Sequence, residues 1–142
     1  MQDLAGNILF VFLLTGAIVD VKCRRLHIGL IAPFGLVGAG FCAVAAVSDK
    51  GAVISAAYGI VLGAVFIGLS KISDEKIGMG DALTILVMGL YLGGYNAAFV
   101  VLYAMILTSA VSVFMLMFRL GSKKTELPFL PFLLAGYLLH II

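Results

Sequence analysis

The sequence ALTILVMGLYLGGYNAAFVVLYAMILTSAVSVFMLMF, residues 82–118, contains 37 consecutive residues without a charged side chain. Because a membrane crossing takes about 20 residues, this run is too long for one transmembrane helix and suits two. Its only clear break is Gly93-Gly94-Tyr95-Asn96, where glycine and asparagine favour a turn. The stretch therefore predicts two adjacent helices of a membrane-embedded bundle.

Four further uncharged runs extend this pattern to the rest of the chain, at 4–19, 26–48, 51–70 and 127–142. We therefore predict an all-α integral membrane protein, a single transmembrane domain over residues 1–142 built as a bundle of about six helices. A re-entrant fourth segment is the alternative, but unsatisfied backbone in lipid favours a complete helix. The predicted helices, with the fourth and sixth short, cover approximately 4–21, 28–48, 51–70, 80–94, 97–118 and 127–142.

The composition supports a lipid environment. Of the 142 residues, 63% are hydrophobic and only 11% are charged, and the mean hydropathy is +1.23. Soluble domains contain about 25% charged residues. These values exclude an ordinary soluble globule, a disordered protein and a nucleic-acid binder, so the lipid bilayer is an expected partner and nucleic acid is not.

The basic residues predict the orientation of the bundle. Eight of the nine lie in the first, third and fifth predicted loops, and Lys50 alone lies on the other side. Basic loops remain in the cytoplasm. We therefore predict a multi-pass protein of the cell (inner or plasma) membrane with both termini outside. The eight residues are Lys22, Arg24, Arg25, Lys71, Lys76, Arg119, Lys123 and Lys124.

The inventory of metal and cofactor ligands is small. Cys23 lies in a basic cluster and Cys42 in an apolar run, so we expect them at different depths and without a disulfide. Two cysteines cannot form a four-cysteine zinc site, and the sequence has no HExxH, P-loop or dinucleotide motif. No metal and no cofactor are therefore expected.

Two acidic residues stand out because they belong to predicted helices. Asp20 lies in the last turn of the first helix and Asp81 at the start of the fourth, so both are predicted at the cytoplasmic edge. Acidic groups near membrane depth are candidates for function. The alternative is a carboxylate that only marks a helix end, and Asp81 suits a helix amino terminus, where the dipole favours an anion.

The glycines of the sequence form two patterns, one directly before Asp81 and one within the predicted helices. Gly78 and Gly80 directly precede Asp81 and would allow a substrate backbone to approach it; alternatively, they only begin the helix. The pairs Gly59/Gly63 and Gly89/Gly93 are four residues apart, a spacing that lets helix backbones approach closely. We expect these pairs to pack within the bundle, with a dimer face as the less favoured interpretation, and the oligomeric state remains open.

Three segments carry a resemblance to a known family. Gly78-Met79-Gly80-Asp81 resembles the GxGD signature of membrane aspartyl proteases, and Asp20 with the basic cluster after it is similar to the first-aspartate segment of type IV prepilin peptidases. Residues 126–133 resemble the late Pro-Phe-x-Pro-Phe motif of that family. The three segments occur in the family's order and extend over nearly the whole chain.

This resemblance implies catalytic roles for Asp20 and Asp81, with Gly78 and Gly80 as substrate-approach residues. It implies a membrane aspartyl endopeptidase that cleaves the leader from a prepilin or pseudopilin precursor, the expected partner, at the cytoplasmic membrane face. The chain departs from the family pattern at Leu26-His27-Ile28, where Ile-Pro-Asn is common, and at Leu83, where a lysine is frequent. It resembles the short members, which lack the cysteine-rich insertion associated with N-methylation.

Two functional alternatives remain. A small transporter or proton-relay protein could use Asp20 and Asp81 to bind an ion or proton, although transport carboxylates lie near mid-membrane. A non-catalytic assembly protein could keep the same fold. Pro128 and Pro131 also allow two interpretations: they begin the sixth helix, where proline is tolerated, or they form a wall beside the active site.

Overall fold

The computed structural model describes residues 2–23, 28–74, 78–120 and 127–142. These residues form helices and no strand, which confirms the all-α prediction. Four helices, α1, α2, α3 and α5, are long and apolar enough to cross a membrane, whereas α4 and α6 are shorter. The helices are α1 Gln2–Cys23, α2 Ile28–Ser48, α3 Lys50–Ile72, α4 Met79–Leu92, α5 Gly94–Met117 and α6 Leu130–Ile141.

Two predicted helix starts, those of the fifth and sixth helices, differ from the structure by three residues, and the other boundaries differ by two residues or fewer. The expected turn over residues 93–96 is reduced to Gly93 alone, and α5 begins directly at Gly94. Gly93 has φ +76, a left-handed conformation that reverses the chain in one residue and favours glycine. The sixth helix begins at Leu130 rather than at 127, because its first-turn amides, those of Phe132 and Leu133, both bond to the carbonyl of Phe129, each at 3.0 Å.

Helix α4 occupies the centre of the bundle and packs against α1, α2, α3 and α5. With 14 residues at 1.5 Å each, it is about 21 Å long. A helix this short is tolerated at this position because the neighbouring helices shield α4 from lipid. Its buried residues cover most of its circumference: Ala82, Thr84, Ile85, Val87, Met88 and Gly89. The central position of α4 fixes the place of its first turn within the bundle.

A close helix contact joins α3 to α4 through glycines. A methyl group added to Gly89 would lie 2.8 Å from the Cα atom of Gly59, well inside normal carbon contact. One turn further along α3, Gly63 faces Leu86 in the same way. Because these glycines lack a side chain, the two helix backbones can approach closely. This supports the predicted role of the glycine pairs in packing within the bundle.

Side chains also donate hydrogen bonds between helices. The hydroxyl of Tyr137 in α6 donates to the carbonyl of Gly6 in α1 at 3.1 Å. On α4, the hydroxyl of Tyr91 donates to the carbonyl of Phe34 at 2.9 Å, while the free thiol of Cys42 donates to the α4 carbonyl of Leu90 at 3.0 Å. These contacts hold α1 against α6, and α2 against α4.

Candidate active site

Asp20 continues the buried face of α1. Leu9, Leu13 and Ala17 lie at helical spacing before it and are buried in the bundle. The same spacing turns Asp20 inward, and its side chain is only 7% exposed, whereas Lys22 and Cys23 beyond it are exposed. The last turn of α1 therefore places a carboxyl group inside the bundle near its edge.

Asp81 lies in the first turn of α4. The helix begins after Gly78, whose carbonyl accepts hydrogen bonds from the backbone amides of Asp81 at 3.1 Å and Ala82 at 3.2 Å. The Asp81 side chain is half-buried, and Ile85, one turn later on the same face, is fully buried. Asp81 therefore points from the central helix towards the interior.

The structure brings Asp20 and Asp81 together although they are far apart in the sequence. Helix α1 packs against α4, and the end of one meets the beginning of the other. The two carboxyl groups are close enough to interact electrostatically. Two carboxyl groups that share a site do not both ionise readily, so such a pair holds one proton and can act as acid and base.

The two predicted substrate-approach glycines have different surroundings. Gly78 is exposed at the beginning of α4, and a methyl group added to it would lie 3.1 Å from Oδ2 of Asp81. Gly80 is half-buried within the first turn, and its carbonyl accepts a hydrogen bond from Oγ1 of Thr84 at 2.8 Å. Gly78 therefore lies beside the carboxyl group, and the substrate-approach role of both glycines stays a prediction.

The site has a third component that the sequence did not predict, the amino terminus of α6. The backbone amide of Leu130 donates a hydrogen bond to Oδ2 of Asp20 at 3.2 Å, and the amide of Phe129 also bonds to this carboxyl group. Pro131 occupies the first turn of α6, where its missing N–H is no loss. Pro128 and Pro131 were the available signal, because they mark a helix start and hence free amides.

The remaining sequence features lie elsewhere. Arg24, Arg25 and His27, with the Leu26-His27-Ile28 departure, fall wholly or partly outside the described residues. His140 lies in the last turn of α6, at the end opposite to the carboxyl pair. Within the described ranges, no three His, Cys, Asp or Glu side chains are grouped as a metal site would require.

A cavity of about 380 Å³ opens at the end of the bundle opposite to the carboxyl pair. It lies between the end of α2, the beginning of α3 and the Gly93 turn. Its polar lining includes Asp49, Ser55 and Asn96. The Asp49 carboxylate accepts a hydrogen bond from the amide of Gly51 at 2.9 Å and so caps α3. The cavity is therefore separate from the candidate active site.

Comparison with known families gives one match. The model of the family described as the type IV leader peptidase family matches residues 7–113. The matched segment contains Asp20, Gly78, Gly80 and Asp81, and it ends before α6. No curated protein and no solved structure matches the chain significantly.

Proposed function

This chain belongs to the type IV leader peptidase family, and from that premise we propose that it is a membrane aspartyl endopeptidase. Its proposed substrates are prepilin or pseudopilin precursors, from which it removes the leader peptide. The observation that carries the proposal is the meeting of Asp20 and Asp81 at one end of the bundle, where their carboxyl groups interact.

A carboxyl pair of this kind can hydrolyse a peptide bond without a metal or a covalent intermediate. One carboxylate takes a proton from water, and the other carboxyl group polarises or protonates the scissile carbonyl. The helical frame contributes the placement of both groups, because each lies within one turn of a helix end that packs against the other helix. Correct placement is itself a large part of the rate gain in such reactions.

The position of the pair along the helices suits a substrate that is partly embedded in the membrane. Asp20 and Asp81 lie at helix ends rather than at mid-span. A precursor with an apolar helix in the bilayer and a basic leader in the cytoplasm would present its scissile bond at this depth. The positive-inside rule supports a cytoplasmic location for this end, in the cell membrane, with both termini outside. The same position argues against a transport site, which is expected near the bilayer midplane.

Reconstitution in liposomes tests the proposal. The purified protein is incubated with a prepilin that carries its leader, and with a matched precursor whose leader is separated from the apolar helix by an inserted polar linker. We expect one cut at the leader junction of the first substrate, measured by mass spectrometry, and little cleavage of the second because its junction lies away from the membrane edge. Equal cleavage of both would contradict the membrane-edge site, and cleavage of neither would contradict the proposed substrate class.

A further inference from the structure

We propose that the amino terminus of α6 holds Asp20 as the ionised member of the carboxyl pair, so that the shared proton resides on Asp81. The positional assignment follows from the hydrogen bonds around the two side chains. Its catalytic consequence, with Asp20 as general base and Asp81 as general acid, rests on the proposed function.

The hydrogen bonds at Asp20 favour a negative charge. A backbone N–H can only donate, so the oxygen Oδ2 that faces the amide of Leu130 at 3.2 Å must accept. The amide of Phe129 bonds to the same carboxyl group. Both amides belong to the beginning of a helix, where unpaired N–H groups and the helix dipole together stabilise an anion. Hydrogen bonds of this type are stronger when the acceptor is ionised.

Asp81 lacks an equivalent arrangement, although it also lies in a first helical turn. The amides of Asp81 and Ala82 are directed to the carbonyl of Gly78, at 3.1 and 3.2 Å. Within the described ranges, no amide donates to the Asp81 carboxyl group as Leu130 does to Asp20. A half-buried carboxyl group that no such amide stabilises favours its neutral form when a negative charge lies nearby.

The α6 amides are the main source of stabilisation for the negative charge of Asp20, because no described charged group nearby provides it. Helix α4 contributes Asp81, which is acidic. No titratable side chain occurs in residues 28–31, at the beginning of α2, or in residues 127–134, which lead into and begin α6. On α1 itself, Lys22 lies two residues further along and is exposed to solvent, which screens its charge. No described cation is therefore buried against Asp20.

This assignment specifies the direction of each proton transfer during hydrolysis. The Asp20 carboxylate removes a proton from water while the oxygen of that water forms a bond to the scissile carbonyl carbon. Asp81 donates its proton to the carbonyl oxygen, which gives a neutral gem-diol. The C–N bond then breaks as Asp20 returns its proton to the leaving nitrogen. One gem-diol hydroxyl returns a proton to Asp81, so the pair is restored and one water is consumed.

Infrared spectroscopy locates the proton without any need for activity. A protonated carboxyl group has a carbonyl stretching band that an ionised one lacks, and the protein is titrated across the acidic range in an ester-free detergent. Each single variant leaves one carboxyl group of the pair beside a neutral amide, so the two midpoints compare how readily each group holds a proton. We expect the band of Asp81 in Asp20→Asn to appear at a higher pH than the band of Asp20 in Asp81→Asn. Asp74→Asn, at an exposed position, is the control and should leave the band of the pair unchanged. A midpoint in Asp81→Asn at or above that in Asp20→Asn overturns the assignment.

Amide-to-ester substitution tests the role of α6 directly. Leucic acid in place of Leu130 removes the N–H that bonds to Asp20 and keeps the side chain. The matched control is the same replacement of Leu133, which is equally buried and donates to the carbonyl of Phe129. Both esters are made in the Asp81→Asn variant, where Asp20 is the remaining carboxyl group of the pair. On acidification, the infrared band of protonated Asp20 should appear at least about one pH unit higher with the ester at position 130 than with the ester at position 133. Equal midpoints for the two esters overturn the role of α6.

The two proposals fail in different ways. If the infrared results hold and no prepilin is cleaved, the proton assignment stands and the proposed function fails. If the wild-type protein cleaves a prepilin but Asp20 has the higher infrared midpoint, the proposed function stands and the assignment fails.

Discussion

Gly89→Ala tests the packing that places Asp81, because Gly89 lies on the same helix and forms a close contact with α3. The added Cβ atom would lie 2.8 Å from both Cα and O of Gly59. Favourable carbon contacts lie at about 3.5–4.0 Å, so α3 and α4 must separate locally by roughly 0.7 Å or more. Overpacking of this kind costs about 1–3 kcal/mol. The same change gains about 0.5–1 kcal/mol of helix propensity, and a control is needed to separate the two effects.

Gly40→Ala is that control. Gly40 lies within α2, and nothing lies within 4 Å of an added Cβ atom. Both variants share the propensity gain, so the difference between their free energies of unfolding should equal the packing cost of about 1–3 kcal/mol. Denaturant unfolding of the purified proteins in mixed micelles, followed by far-ultraviolet circular dichroism, measures this difference. Equal stability of the two variants would refute the inferred glycine contact between α3 and α4.

Three further predictions concern the site, the topology and the absence of a metal. Gly78→Ala places a methyl group 3.1 Å from Oδ2 of Asp81, and the resulting shift of a few tenths of an ångström should lower kcat roughly threefold to tenfold. Gly68→Ala, which meets nothing within 4 Å, should leave kcat unchanged; equal losses would contradict the role of the contact. With Cys42→Ser present, an impermeant maleimide should label the exposed Cys23 only after the cells are permeabilised, and labelling in intact cells would contradict the topology. Cleavage should persist after dialysis against a chelator, and loss that zinc restores would contradict a mechanism based on carboxyl groups alone.

Much of the fold follows from simple patterns in the sequence. The uncharged runs predicted the number of helices, because a span in lipid excludes charge. The placement of Asp20 in a last turn and Asp81 in a first turn then required them to lie at the same end of an alternating bundle. The one-residue turn at Gly93 was not predictable in the same way, because its left-handed φ depends on how α4 and α5 pack.

The contribution of α6 was beyond the reach of the sequence for a physical reason. The bond from Leu130 to Asp20 joins positions 110 residues apart, and its donor is a backbone amide that every non-proline residue possesses. A sequence therefore gives no direct sign of such a partner. Pro128 and Pro131 suggested only that a helix begins nearby, and the packing of α6 against α1 decides which side chain its free amides meet.

Cleavage by the paired aspartate variants tests the central claim most directly. Asp20→Asn, Asp81→Asn and the exposed control Asp74→Asn are reconstituted in liposomes with one prepilin, and their stability is compared by thermal unfolding. General acid–base groups contribute about 100-fold or more to a rate, so each of the first two variants should lose at least about 100-fold in kcat/KM while remaining folded. Asp74→Asn should cleave at the wild-type rate. Processing at the wild-type rate by either Asp20→Asn or Asp81→Asn would contradict a catalytic carboxyl pair.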